Sequence, residues 1–179
     1  TEDQLTVMRD MLDALKRNPL AKKLMCGKGE SEKAFFWTDP ETKEKCKIKT
    51  DRMVTYNRRK YVIDYKTTVS ADTNRFNSEI WKRGYYFQEG MYSEGVMRAL
   101  KLKKRPGFLF VAQEKDPPYA VNVIEVTEEV MQAGVIKFHE LMDKYHQCKV
   151  LDVWPGYVRD EPNDAFVPNW YQEAMEEDA

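Results

Sequence analysis

Thr50-Asp51-Arg52 and Val62-Ile63-Asp64-Tyr65-Lys66-Thr67-Thr68 are the two stretches on which the fold turns. Both are rich in β-branched and aromatic neighbours, and Tyr56-Asn57-Arg58-Arg59-Lys60 between them has turn chemistry. A hairpin turning between Asn57 and Arg58 places Asp51 directly opposite Asp64. Residues so paired have Cβ atoms about 4.5–5.5 Å apart, so two carboxylates meet on one side of a sheet. Lys66, two residues beyond Asp64, projects from the same face. The preceding turn, Asp39-Pro40-Glu41-Thr42, centred between Glu41 and Thr42, places Glu32 opposite Asp51 and adds a third acid. Three acids on adjacent strands repel one another unless a hard divalent cation neutralises them, and Mg²⁺ takes such carboxylate oxygens.

An isolated Asp-x-Lys is far more often the polar face of an edge strand than a reactive centre. Here Asp64 sits in the apolar run Val62-Ile63-Asp64-Tyr65, typical of a buried strand, where an unpartnered carboxylate is costly. Further along, Tyr85, Gln88 and Tyr92 are spaced three and four apart and share one helical face. With the carboxylates in place, the expectation is a helix across the site, with Gln88 hydrogen-bonding near the acids. The chemistry such a cluster suits is phosphodiester hydrolysis. A bound metal activates water and neutralises charge, while Lys66, favoured as an ammonium beside carboxylates, orients and stabilises. Lys43, Lys45, Lys47 and Lys49 alternate with Glu44, Cys46 and Ile48, so on a regular strand they share a face with Asp51. They read either as edge-strand protection against aggregation or as a row of phosphate contacts leading to the metal.

The surrounding chain is read as two short helices broken at Asn18-Pro19, then a three-stranded meander over about 32–38, 44–55 and 61–68. Helical periodicity follows from Asp72 to Leu102 with a break near Gly84. Two strands (107–114, 119–126) and a last helix (128–147) complete the order ααβββααββα, a mixed α/β fold. The 179 residues fit one domain: N-terminal helices over 1–29, a core over 30–150, and a tail over 151–179 that docks by Trp154, Trp170 and Tyr171. With 42% hydrophobic and 33% charged residues the chain is neither disordered nor fibrous. No apolar run approaches the roughly 20 residues of a membrane span, and the acidic start Thr1-Glu2-Asp3-Gln4 is unlike a secretory signal. A chain beginning at Thr1 reads as excised from something longer. Cys26, Cys46 and Cys148 are widely spaced and odd in number, which points to a reducing cytoplasm and against a four-cysteine metal cluster. Net charge is −1, yet residues 160–179 contribute −7, leaving +6 on residues 1–159, a balance that permits a polyanionic partner without demanding one.

The ordered set Asp51, Asp64-Tyr65-Lys66 and Gln88-x-x-x-Tyr92 resembles the PD-(D/E)XK nuclease superfamily in its RecB-like branch. More narrowly, Glu32, Phe36-Trp37-Thr38-Asp39-Pro40-Glu41-Thr42, Cys46-Lys47, Asp64-Tyr65-Lys66-Thr67-Thr68 and Trp154-Pro155 resemble the exodeoxyribonuclease VIII nuclease domain, from about Ala21 to Tyr171. The resemblance implies a restriction-endonuclease-like core with about five strands. It implies a Mg²⁺-dependent exonuclease, Mn²⁺ substituting, that resects linear double-stranded DNA 5′→3′ and leaves 3′ tails for a single-strand annealing protein. By motif, Asp51, Asp64, the Tyr65 carbonyl and Glu32 become metal ligands. Lys66 becomes the catalytic lysine. Beside these, the residues read from spacing are Gln88 at the site, and Lys45, Lys47, Lys49 and Tyr92 as candidate DNA-facing residues. A ring-shaped homo-oligomer in a bacterium or phage-infected host is also implied. Many relatives have Pro before the first Asp, where this chain has Thr50, a residue that shapes backbone rather than chemistry. Two alternatives are an inactive DNA-end-binding module and another RecB-like nuclease, endonucleolytic or of the CRISPR type. Retention of Asp51, Asp64 and Lys66 together argues against the first; the CRISPR type commonly needs four cysteines.

Overall fold

The computed structural model describes residues 1–157, 162 and 164–166. Its elements run α1 (Glu2–Arg17), α2 (Pro19–Cys26), β1 (Glu30–Thr38), β2 (Lys45–Tyr56), β3 (Arg59–Thr68), α3 (Thr73–Lys82), α4 (Tyr85–Ala99), β4 (Gly107–Glu114), β5 (Val121–Glu125) and α5 (Glu128–Leu151), in the order expected. The chain divides into two units, Thr1–His146 and Gln147–Ala179. All that follows on the sheet and the site concerns the first. In the second, Trp154 is 58% exposed, and Trp170 and Tyr171 lie outside the described residues. No described helix is long and apolar enough to cross a membrane.

Asn18 separates the first two helices. Its side-chain oxygen accepts from Leu20 N–H (3.1 Å) and Ala21 N–H (3.0 Å), and Pro19 follows at the first helical position, where its missing N–H costs nothing. The apolar spacing of α1 predicts a buried stripe, but only Ala14 and Leu15 are buried; Leu5, Met8 and Leu12 stay exposed. The five strands form one sheet in sequence order: β1, β2 and β3 are antiparallel, β3 and β4 parallel, β4 and β5 antiparallel. A parallel pair needs a long crossover, which α3 and α4 supply. Strand β4, between β3 and β5, is buried on both faces, as parallel strands are.

Both hairpin registers follow their turns. Tyr56 pairs with Arg59 and Arg52 with Ile63, around Asn57 (φ 47°) and Arg58 (φ 65°), the left-handed pair of a type I′ connection. At the other turn Asp39 accepts from Thr42 N–H and Oγ–H, both at 2.9 Å, and Thr38 pairs with Lys45. Regular alternation nevertheless fails in mid-sheet. Ile48 and Met53 belong to one hydrophobic cluster although five residues apart, an odd spacing that a regular strand would send to opposite faces. The switch occurs where Glu32 turns left-handed (φ 53°). Ser31 still pairs with Arg52 and Lys33 with Thr50, but Glu32 and Asp51 between them drop out of the ladder. Thr50, fully buried, donates its hydroxyl to the Lys33 carbonyl (3.3 Å) beside the gap. Arg52 ties β2 to the end of α2, donating to the carbonyls of Leu24 (2.7 Å) and Gly27 and to Ser31 Oγ (2.8 Å).

Helix α4 is seated by glycines. A Cβ on Gly95 would lie 2.6 Å from the Trp37 ring, and one on Gly90 would lie 2.2 Å from the Gly134 backbone of α5. The helix therefore touches the sheet through one glycine and α5 through the other. Gly134→Ala, whose Cβ would stand 2.1 Å from the Tyr86 carbonyl, is expected to cost about 1–3 kcal/mol as overpacking, read as a lowered urea midpoint at unchanged slope.

Candidate active site

Strand alternation delivers Asp64 and Lys66 to the same side of β3, and the first turn of α4 lies over them. Asp64 is 2% exposed. Its Oδ1 accepts from Gln88 Nε2 at 2.6 Å, and Lys66 Nζ stands 2.7 Å from its Oδ2. Lys66 also donates to Gln88 Oε1 at 3.0 Å and rests 4.7 Å above the centroid of the Tyr85 ring. Gln88 thus accepts from the ammonium and donates to the carboxylate; only that amide orientation satisfies both neighbours. Lys66 Nζ meets Oδ2 as one half of an ion pair, and a carboxylate oxygen so met still has a lone pair open in this buried position.

Asp51 approaches from β2, its Oδ2 accepting from Tyr65 N–H at 3.0 Å. The carboxylate occupies a backbone donor of β3 beside the gap in the β1–β2 ladder and stands close to Asp64. Burial pushes the Asp64 carboxyl above its ordinary range. Lys66 opposes that shift, the negative charge of Asp51 adds to it, and Gln88 also opposes. Two like charges beside a buried, unclaimed lone pair are a donor set that suits a hard divalent cation, with the Tyr65 carbonyl as a neighbouring oxygen.

Glu32 does not join them. The expected register puts it opposite Asp51, but its left-handed backbone turns it out of the ladder, and its carboxylate pairs with Lys49 at the surface. Among the described residues no group of three or more acidic, histidine or cysteine side chains forms a metal-holding cluster. Lys45, Lys47 and Lys49 alternate with buried Cys46 and Ile48 as expected, and the charge of Asp51 reaches Lys49, although the alternation breaks between Ile48 and Met53. Lys43 is in the turn, donating to the Pro40 carbonyl at 2.6 Å. Lys47, Lys49 and Tyr92 do converge, with Ala34, Met91 and the exposed Phe36, on one groove along the sheet edge. Tyr92 reaches the centre itself. Burial raises its phenol, a hydrogen bond with Gln88 works against that, and the charges of Asp64 and Asp51 add to it.

A second cleft, of about 380 Å³, opens beside the lysine and was not foreseen. Thr67, next to Lys66, and Tyr85 form part of its wall, and Arg75, Lys82, Lys115 and the ion pair of Arg83 with Glu79 line it. The signal was present in the spacing of Arg75, Glu79 and Lys82, which puts all three on one face of α3, with Arg83 at its C-cap. Cations beside a two-carboxylate centre make a place for a phosphate-bearing substrate. Because Gln88 only positions Asp64 and Lys66, Gln88→Ala is expected to lower turnover about 10–100-fold, the usual size for a partner that orients a ligand. Restoration by Gln88→Asn would contradict that role, because the shorter amide cannot bridge both groups.

Comparison with known proteins bears on the fold and the family. No curated protein matches the chain. The crystal structure of a protein from Eubacterium rectale, named provisionally as an exonuclease, is similar in fold. Its TM-score is 0.65 at 16% identity, covering 94% of this chain, which spans 65% of that protein's length. The crystal structure of SSO0001 is more distant, with a TM-score of 0.42 at 16% identity over 78% of this chain and 66% of that one. A family model matches residues 1–160, nearly the whole of the described chain. The chain belongs to the PDDEXK-like domains of unknown function designated DUF3799.

Proposed function

We propose that this protein is a divalent-metal-dependent nuclease that hydrolyses phosphodiester bonds of linear double-stranded DNA from its ends, 5′→3′. The observation that carries the nuclease reading is the bonded set Asp64, Lys66 and Gln88, with the Asp51 carboxylate held on Tyr65 N–H close enough for its charge to act on Asp64, beside a cleft rich in cations. Asp51, Asp64 and the Tyr65 carbonyl would hold Mg²⁺, or Mn²⁺ in its place. When bound, the metal lowers the pKa of a coordinated water and neutralises charge on the phosphoryl oxygens. Lys66 places its ammonium at the edge of that centre, where it orients the nucleophile and meets charge developing on the phosphate. Gln88 holds Lys66 and Asp64 in mutual geometry, and Tyr85 limits the sweep of the lysine.

Action at ends rather than within a duplex is supported by the resemblance to exodeoxyribonuclease VIII and by the provisional name of the Eubacterium rectale protein. A ring-shaped oligomer and delivery of 3′ tails to an annealing protein are parts of the same proposal. The test is digestion of end-labelled linear and covalently closed circular duplex with and without Mg²⁺ or Mn²⁺. Linear duplex should be consumed from its ends only when metal is present, while circles persist. Rapid nicking of circles would favour an endonuclease. Binding of ends without hydrolysis in either metal would favour the inactive end-binding module.

A further inference from the structure

At the far end of the crossover from the carboxylates lies a cleft of about 1000 Å³ that no part of the reading above uses. It is strongly basic: Arg58, Arg59 and Lys60 line it from the β2–β3 hairpin, and Lys103, Lys104 and Arg105 from the loop after α4. The two segments are brought together because β3 and β4 are parallel, Tyr61 pairing with Gly107, so their preceding loops meet at one sheet end. Among the lining residues Glu128 alone is acidic. Arg105 is spent on buried Glu94 and Arg59 on Glu125. Arg58, Lys60, Lys103 and Lys104 are exposed and make no ion pair among the described residues. Arg58 moreover holds a left-handed turn position (φ 65°) that glycine usually takes, at the tip of the hairpin. Four uncompensated cations on two converging loops, in a chain of net charge −1, are a local field for a polyanion.

Distance says which polyanion could bridge this cleft and the carboxylates. Lys60 precedes Asp64 by four strand residues, roughly 13 Å, and Ala99 follows Gln88 by eleven helical residues, roughly 17 Å. At about 3.4 Å of rise per base pair, that is four to five base pairs of duplex. We propose that the Arg58–Lys60 hairpin and the Lys103–Lys104 loop form a second phosphate anchor, gripping the backbone of duplex DNA four to five base pairs from the scissile bond. The proposal rests on the nuclease reading for its substrate but not for its test.

The triple variant Arg58→Gln/Lys103→Gln/Lys104→Gln should bind a fluorescein-labelled duplex of about 20 base pairs more weakly, tenfold or more at near-physiological salt. With EDTA present to stop hydrolysis, the slope of log affinity against log salt should fall by about two to three units. Hydrolysis of bis(p-nitrophenyl) phosphate, too small to reach the cleft, should change less than twofold. Lys103→Arg/Lys104→Arg should keep the wild-type slope, and its loss would show that something other than charge is at work and overturn the anchor. An unchanged slope and affinity in the triple variant would also overturn it, and would leave the nuclease reading standing if wild type still digests duplex. A reduced slope in a protein that hydrolyses neither substrate would keep the anchor and sink the nuclease.

Discussion

Asp64→Asn and Lys66→Ala should each reduce metal-dependent hydrolysis of linear duplex by about 10³-fold or more, a loss of roughly 4 kcal/mol of transition-state stabilisation. In the first variant the carboxamide can still accept from Gln88, but its Nδ2 then faces the Lys66 ammonium donor to donor, and one of two anionic oxygens for a cation is gone. In the second, Asp64 keeps Gln88 but loses the cation paired with it. Single-turnover cleavage of an end-labelled duplex measures the loss, and a thermal melt shows whether the fold survives. Activity within tenfold of wild type in either variant would mean that the cluster is not where hydrolysis occurs.

The second large effect concerns a carboxyl that the proposed chemistry does not use. Glu89, adjacent to Gln88 on α4, is fully buried, and among the described residues neither of its oxygens has a well-aligned hydrogen-bond partner; the Ser93 hydroxyl beside it is shared with the Gly90 carbonyl, 3.4 Å away. Burial pushes this acid up to about 7, with Ser93 and Arg105 pulling against the shift and Glu128 adding to it. A raised folded-state pKa means that the folded chain binds the proton more tightly than the unfolded one. Its contribution to stability is therefore complete below the unfolded value of 4.5 and is lost as pH rises through about 7. Glu89→Gln removes that dependence. Relative to wild type, the variant should gain up to about 3 kcal/mol at pH 8 and nothing near pH 4.5. Urea titrations of both proteins across that range isolate the effect, since every other acid is common to the two. A constant difference across pH would show that Glu89 does not titrate on unfolding.

Much of this site was legible because turns are local. Asp39 and Thr42 close one hairpin through their own side chains, and Asn57 accepts a left-handed backbone readily, so register at Asp51 could be counted from residues several positions away. Helical spacing likewise placed Gln88 and Tyr92 on one face. What could not be read was Glu32. A left-handed glutamate leaves no compositional mark, and the ladder gap at Glu32 and Asp51 accompanies both the Asp51 contact with Tyr65 N–H and the break in alternation between Ile48 and Met53. The two basic clefts were hidden for a different reason. They join segments far apart in sequence, Arg75 with Lys115 and Arg58 with Lys103, and only the parallel crossover makes them neighbours.

Gly90 and Gly134 sit behind the chemistry rather than in it, yet they decide how finely it can be tuned. Gln88 rides two residues from a contact that cannot admit one methyl group. A helix so clamped can transmit small displacements: anything that shifts α5 by a fraction of an ångström must shift the amide that aligns Asp64 with Lys66, because the packed backbones have no soft side chain between them to absorb the motion. Rigidity at the crossing is thus a lever arm, and turnover should be more sensitive than stability to changes on the buried side of α5.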